Sequence, residues 1–207
     1  MSTVATLPPA APNTPPHADP GPRRWRCTRE QYAKLRAAGF FTERRYQLIR
    51  GEVIDMGKEK EGPRHFAMMM IVAKVLETAF GPGCTVRPGG PIGFEDSEPE
   101  PDVAVVPGVM RDYIAQHPAT ALLAVEVAET SLQYDQTEKA ELYASAGIPE
   151  YWVIDLNGRE VIVFRDPAPL APALGATAYQ SRQTFTAGQT IQPLHAPNAV
   201  AVADLLP

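Results

Sequence analysis

A chain of 207 residues, 44% of them hydrophobic and 21% charged, is long enough for one core of ordinary size plus a tail and too apolar for general disorder. Its formal net charge of −5 weighs against a broad electrostatic grip on polyanions, which comes from Lys and Arg neutralising phosphates, but leaves room for a local basic groove. No apolar run of about 20 residues is present to span a bilayer, and the N-terminus lacks the basic segment and apolar core of a secretory signal. A cytoplasmic protein with no membrane partner is the expectation, and Cys27 and Cys84, far apart and without CxxC spacing, read as ordinary thiols rather than a disulfide or zinc framework.

Residues 1–22 are rich in Pro and Ala with little apolar bulk, so they are expected to form a disordered leader before a single domain over 23–207. Arg23, Arg24 and Arg26 form one basic cluster and Arg44 with Arg45 another, a pattern that usually marks solvated surface. Thr28 and Gln31 have the spacing of a capping box, and the spacing predicts a short helix that Gly39 can end in a left-handed cap. YQLI and VIDM flank Arg50-Gly51-Glu52 as a hairpin. From His65 to Phe80, apolar residues at Met69, Val72, Ala73, Leu76 and Phe80 recur at helical spacing, and Gly81-Pro82-Gly83 stops the helix. The methionine run 68–70 reads as core filler.

CTVR and PIGFE follow as short extended stretches, then the acidic turn EDSEPEP, the strand DVAVV and the strand ALLAVEVA. Asp135 to Ala146 is predicted helical, ended by Gly147-Ile148-Pro149. EYWVIDL and EVIVFR lie on either side of Asn157-Gly158, a strong hairpin signal. AYQSRQTF, QTIQP and AVAVADLL are assigned to peripheral strands. The succession helix, strand, strand, strand, helix, strand, with a hairpin before and another after, predicts an α/β (α+β) fold with a mixed, largely buried sheet flanked by helices.

Glu126 stands in LLAVEVA, a run apolar enough to be a strand covered on both faces. An unpaired charge there costs several kcal/mol, so the position must supply a metal ion, a cation or a proton. Asp102 opens DVAVV directly after Pro101, so two neighbouring strands could present two carboxylates at one sheet edge. Such hard oxygen ligands suit Mg2+ or Mn2+, which can polarise a phosphate and generate hydroxide near neutral pH. Asp135, Lys139 and Tyr143 share one helical face. Lys139 could orient the attacking water or steady growing charge, or it could simply pair with Asp135 at the surface; Glu126 could equally be a paired structural charge and Asp102 a turn acid. His17, His117 and His195 lack ligand spacing, His65 sits at a helix start, and Trp152 reads as a core aromatic.

Tyr46-Gln47-Leu48-Ile49-Arg50-Gly51-Glu52, His65, Pro101-Asp102-Val103, Val125-Glu126-Val127, Asp135, Lys139, Tyr143 and Glu150-Tyr151-Trp152 occur in one order that resembles the Uma-two family within the PD-(D/E)xK nuclease superfamily, over about residues 40–165. The resemblance implies a restriction-endonuclease-like core in αβββαβ order. It also implies Mg2+ or Mn2+ held by Asp102, Glu126 and the backbone carbonyl of Val127, with Lys139 assisting the hydrolysis of DNA by metal-activated water. Two residues depart from the pattern. Ala128 stands where the superfamily has its lysine, so that role would move to Lys139, and Gln47 stands where the family usually has Glu. The competing reading is a catalytically degenerate binding or regulatory module on the same fold, motivated by Gln47, Ala128 and the acidic charge. Cutting of two strands would favour a homodimer.

Overall fold

Residues 23–57, 62–170 and 176–207 are described by a computed structural model, and the leader expected over 1–22 lies outside them. Helix α1 (Arg29–Ala37) begins with a complete capping box: the Thr28 hydroxyl accepts from the Gln31 N–H, and the Gln31 side chain accepts from the Thr28 N–H, satisfying two amides that helix geometry leaves orphaned. Strands β1 (Tyr46–Ile49) and β2 (Glu52–Asp55) pair antiparallel as a hairpin of their own. Its turn residues Arg50 and Gly51 both adopt positive φ, the conformation that matches the twist of the strands it joins. Gly51 has a second reason to be glycine, because a Cβ there would lie 2.9 Å from the Cβ of Arg26.

The main sheet runs β3-β4-β5-β6-β7-β8, with β3 (Cys84–Pro88), β4 (Val103–Pro107), β5 (Leu123–Ala128), β6 (Glu150–Asp155), β7 (Glu160–Pro169) and β8 (Thr177–Thr186). Every pairing is antiparallel except β5 with β6. A parallel pair needs a crossover, supplied here by α3 (Leu132–Tyr134), a π-helical stretch Asp135–Lys139, and α4 (Ala140–Ser145). Helix α2 (Pro63–Phe80) covers one face, where Val72, Leu76 and Phe80 pack with Val103, Val125, Val127 and Ile154. The crossover helices cover the other, where Ala140 and Tyr143 pack with Ala104, Ala124, Ala128, Tyr151 and Val153. Strands β5 and β6 are buried along their whole length, as the unbroken apolar runs require. The αβββαβ succession is therefore the core of the fold, with one hairpin before it and β7–β8 extending it.

Several local expectations change. PIGFE forms no ladder; it closes on itself, with Ile92 N–H donating to Pro99 and Phe94 N–H to Ser97, and buries Ile92 and Phe94. The crossover helix starts at Leu132 rather than Asp135. Around Asn157-Gly158 the last strand pair is Asp155 with Glu160, so the turn takes in Leu156 as well as the three residues between the two runs, and Asp155 Oδ1 fixes it by accepting from the N–H groups of both Asn157 and Gly158. AYQSRQTF becomes the edge strand β8, QTIQP contributes only β9 (Thr190–Ile191), and AVAVADLL contributes β10 (Val200–Ala201) before a 3-10 turn that buries Val202 and Leu205.

Trp152 is a core residue with a charged anchor. Glu150, wholly buried, accepts from the Trp152 indole N–H at 2.9 Å, from Arg165 Nε and Nη2 at 2.9 and 2.6 Å, and from the Leu194 N–H at 2.8 Å, tying β6 and β7 to the C-terminal segment. Because Glu150→Gln keeps the shape but leaves a part-buried guanidinium without its counter-charge, it should lower stability by about 2–3 kcal/mol. Urea unfolding followed by tryptophan emission measures this, and an unchanged midpoint would mean the network is dispensable.

Candidate active site

The β4–β5 ladder ends at Val103 opposite Val125. One step further the same register sets Asp102 opposite Glu126, and residues directly opposite in an antiparallel pair project on the same face. Asp102 takes over where the ladder stops, its Oδ2 accepting the Val127 N–H at 2.7 Å. The N–H and C=O of one strand residue point the same way, so the Val127 carbonyl faces the Asp102 side as well. His65, in the first turn of α2, brings its Nε2 to 3.2 Å from the same Asp102 Oδ2.

Glu126 lies between Ala124 and Ala128 on the crossover-helix face, and these small neighbours leave space above the carboxylate. Lys139 Nζ and the Tyr143 hydroxyl fill it, each donating to Glu126 Oε1 at 2.9 Å. Both donors are buried. One α-turn separates them, so they share a helix face, and Lys139 closes the π-helical stretch, an irregularity that often marks functional sites. A surface pairing of Asp135 with Lys139 is therefore not what forms: Lys139 turns inward to Glu126, and Asp135 Oδ2 accepts from Ser131 Oγ at 2.5 Å.

Burial dominates the electrostatics. Desolvation pushes the Glu126 carboxyl up to about 8 despite the opposing pull of Lys139, and the charges of Asp102 and Asp135 add to the rise. Burial works against the Lys139 ammonium, but the Glu126 and Asp135 charges outweigh it and the pKa rises, so the cation is kept. Burial and the neighbouring Glu126 hold Tyr143 well above the usual phenol range, which leaves it a hydrogen-bond donor. Desolvation also raises Asp135, against Ser131 and Lys139.

These groups line a cavity of about 350 Å3 that includes Gln47, His65, Asp102, Glu126, Asp135 and Lys139. A larger hollow of about 590 Å3 beside Arg50, Phe94 and Glu141 holds neither Asp102 nor Glu126 and has no comparable cluster of buried charge. Gln47 is 2% exposed, and its Oε1 has no hydrogen-bond partner among the described residues. An amide oxygen without a donor, beside two carboxylates and a strand-end carbonyl, is a set of hard oxygen donors of the kind magnesium and manganese take. Among the described residues no three His, Cys, Asp or Glu side chains are gathered to hold a metal. Gln47, which the sequence offered as a departure from the family pattern, and His65, left without a definite role, both line this cavity; their place in the motif order, and for His65 its position at a helix start, were the visible signals.

The Uma2 family model, described as "Putative restriction endonuclease", matches residues 29–203. The chain belongs to the Uma2 family. A crystal structure of "a putative nuclease belonging to DUF820" from Anabaena variabilis ATCC 29413 is similar to it over 79% of this chain and 90% of that one, with a TM-score of 0.57 and 17% sequence identity. That likeness shows a shared, restriction-endonuclease-like fold. No curated protein matches the chain in sequence, and no helix among the described residues is long and apolar enough to cross a membrane. In this Uma2 chain Ala128 packs on the same face as Glu126, so a lysine side chain from position 128 and one from position 139 would approach the same side of the sheet.

The raised Glu126 carboxyl makes metal-free stability depend on pH. The fold keeps a proton that the unfolded chain releases above its ordinary value of 4.5, so the contribution is full below 4.5 and is lost as the pH rises through about 8. Stability falls with pH wherever the native state binds more protons than the unfolded one. In chelator, the melting temperature should drop between about pH 5 and about pH 8.5, and Glu126→Gln should flatten that drop. A profile that the substitution leaves unchanged would mean Glu126 is ionised throughout.

Proposed function

We propose that this Uma2 protein is a magnesium- or manganese-dependent endonuclease that hydrolyses DNA phosphodiesters. The observation that carries the reading is the meeting of Asp102 and Glu126 across adjacent strands, just past the last β4–β5 pair, with Lys139 delivered from the crossover helix onto Glu126. Asp102, Glu126 and the Val127 carbonyl would hold the ion, with Gln47 Oε1 as a further oxygen within the same cavity. A bound divalent ion neutralises the phosphate and lowers the pKa of a coordinated water. Asp102 is kept in place by the Val127 N–H and His65. Tyr143 fixes one oxygen of Glu126, and Lys139, besides holding Glu126, carries the positive charge that can orient a water or steady the developing phosphate charge.

The degenerate alternative rested on Ala128, Gln47 and the acidic net charge. Lys139 supplies a buried ammonium on the face that Ala128 leaves vacant, and Gln47 retains an oxygen donor, so both departures are compatible with turnover.

Supercoiled plasmid and single-stranded DNA, incubated with magnesium, manganese or chelator, test the reading. Metal-dependent nicking should fall by about 100-fold or more in Asp102→Asn and Glu126→Gln, and by about 100-fold in Lys139→Ala, magnitudes typical of removing a group that acts in the transition state. Absence of cutting by folded, metal-binding wild type would sink the nuclease reading in favour of a binding module. Cutting that survives both carboxylate substitutions would move the site elsewhere.

A further inference from the structure

Just before α1 the chain reads Arg23-Arg24-Trp25-Arg26, and all four residues are exposed, Trp25 to 66%. A large aromatic side chain in water flanked by three arginines is not explained by packing. Neither Arg23 nor Arg24 makes an ion pair or hydrogen bond among the described residues, so their charge is available.

The segment is anchored at its C-terminal end. Cys27 N–H donates to the Gly51 carbonyl at 2.8 Å, the Arg26 guanidinium donates to the Arg50 carbonyl, and the Cys27 side chain is buried with Tyr32 and Leu48. Trp25 thus projects from a fixed point at the β1–β2 turn. The same hairpin carries Gln47, which lines the cavity with Asp102 and Glu126, so the arm and the candidate site share one element.

We infer that Arg23, Arg24 and Trp25 form a docking arm for single-stranded nucleic acid, in which an unpaired base stacks on Trp25 and the arginines contact the adjacent phosphates. Sequence-tolerant stacking on an aromatic beside cationic side chains is the chemistry by which proteins take unpaired strands. The inference deepens the nuclease reading by naming the strand state the protein would hold near its cavity, but binding at the arm does not require cleavage.

The molecule carries its own reporter, because its two tryptophans differ completely: Trp25 is exposed and Trp152 fully buried. In chelator, so that no cutting can occur, titration with an oligothymidylate single strand should quench tryptophan emission saturably. Trp25→Ala should abolish the quenching and weaken binding, read by anisotropy of a labelled strand, by about tenfold. Arg23→Ala with Arg24→Ala should lower the slope of log affinity against log salt by about 1.4. These side chains are exposed, and circular dichroism checks that the variants stay folded. Unquenched emission on binding, equal affinity of Trp25→Ala, or equal quenching by a blunt duplex would each overturn the inference. Quenching by the single strand from a protein that never cuts DNA would uphold the arm while the nuclease reading fails.

Discussion

Glu126 occupies the middle of a six-residue strand in which every neighbour is apolar and buried, and the surrounding structure is arranged to make that tolerable. Removing a carboxylate from water costs several kcal/mol unless hydrogen bonds and a counter-charge replace the lost hydration. Lys139 and Tyr143 provide them, and both bonds converge on Oε1, which leaves Oε2 to the cavity that Glu126 lines. The same two donors thus hold the side chain still and keep one oxygen unspent. Even so, desolvation holds the carboxyl pKa above the usual carboxylate range, and a cation entering beside Asp102 and Asp135 would oppose that rise.

The topology explains why the lysine comes from a helix. A hairpin between β5 and β6 would have returned the chain within the sheet, but these strands are parallel, so the chain must cross over one face before β6 can begin. That crossover is laid over Ala124 and Ala128 and carries Lys139 and Tyr143 down to Glu126. On the other face α2 is packed by Val72, Leu76 and Phe80, and its first turn places His65 against Asp102. Each carboxylate is therefore steadied from a different layer.

Glu126 and Asp102 were legible in the sequence for a simple reason: each interrupts or opens an apolar strand pattern, and burial makes a charge there conspicuous. Helix α2 was legible from 3.6-residue spacing and its glycine stop, and α4 from its run of helix formers ended at Gly147. Register was not, because it depends on which strands meet, and only the β4–β5 pairing reveals that Asp102 and Glu126 lie opposite each other. The same limit left Lys139 divided between a surface pair with Asp135 and a role at the sheet edge, since spacing along a helix says nothing of the strand beneath it. The π-helical stretch at Asp135–Lys139 has no period of its own in the sequence. PIGFE has the composition of a strand, yet its amides bond to Ser97 and Pro118 instead of a neighbouring strand. The Asn157-Gly158 signal located the hairpin but gave its turn one residue too few, because Asp155 accepts from both N–H groups and draws Leu156 into the loop.

Gln47 bears on how such a cavity manages its charge. Asp102, Glu126, Asp135, Glu100 and Glu129 already face it, against Lys139 and Arg45, and the mutual repulsion of Asp102, Asp135 and Glu126 helps raise the Glu126 carboxyl. A further buried carboxylate at position 47 would add to that repulsion in the empty cavity and to the attraction for a divalent ion in the filled one. The amide keeps an oxygen, orphaned among the described residues, at the same place without the charge. On electrostatic grounds, Gln47 would make the metal-free protein easier to fold and, under the proposed function, a bound ion easier to lose, so this chain should depend more on metal concentration than a relative with glutamate there.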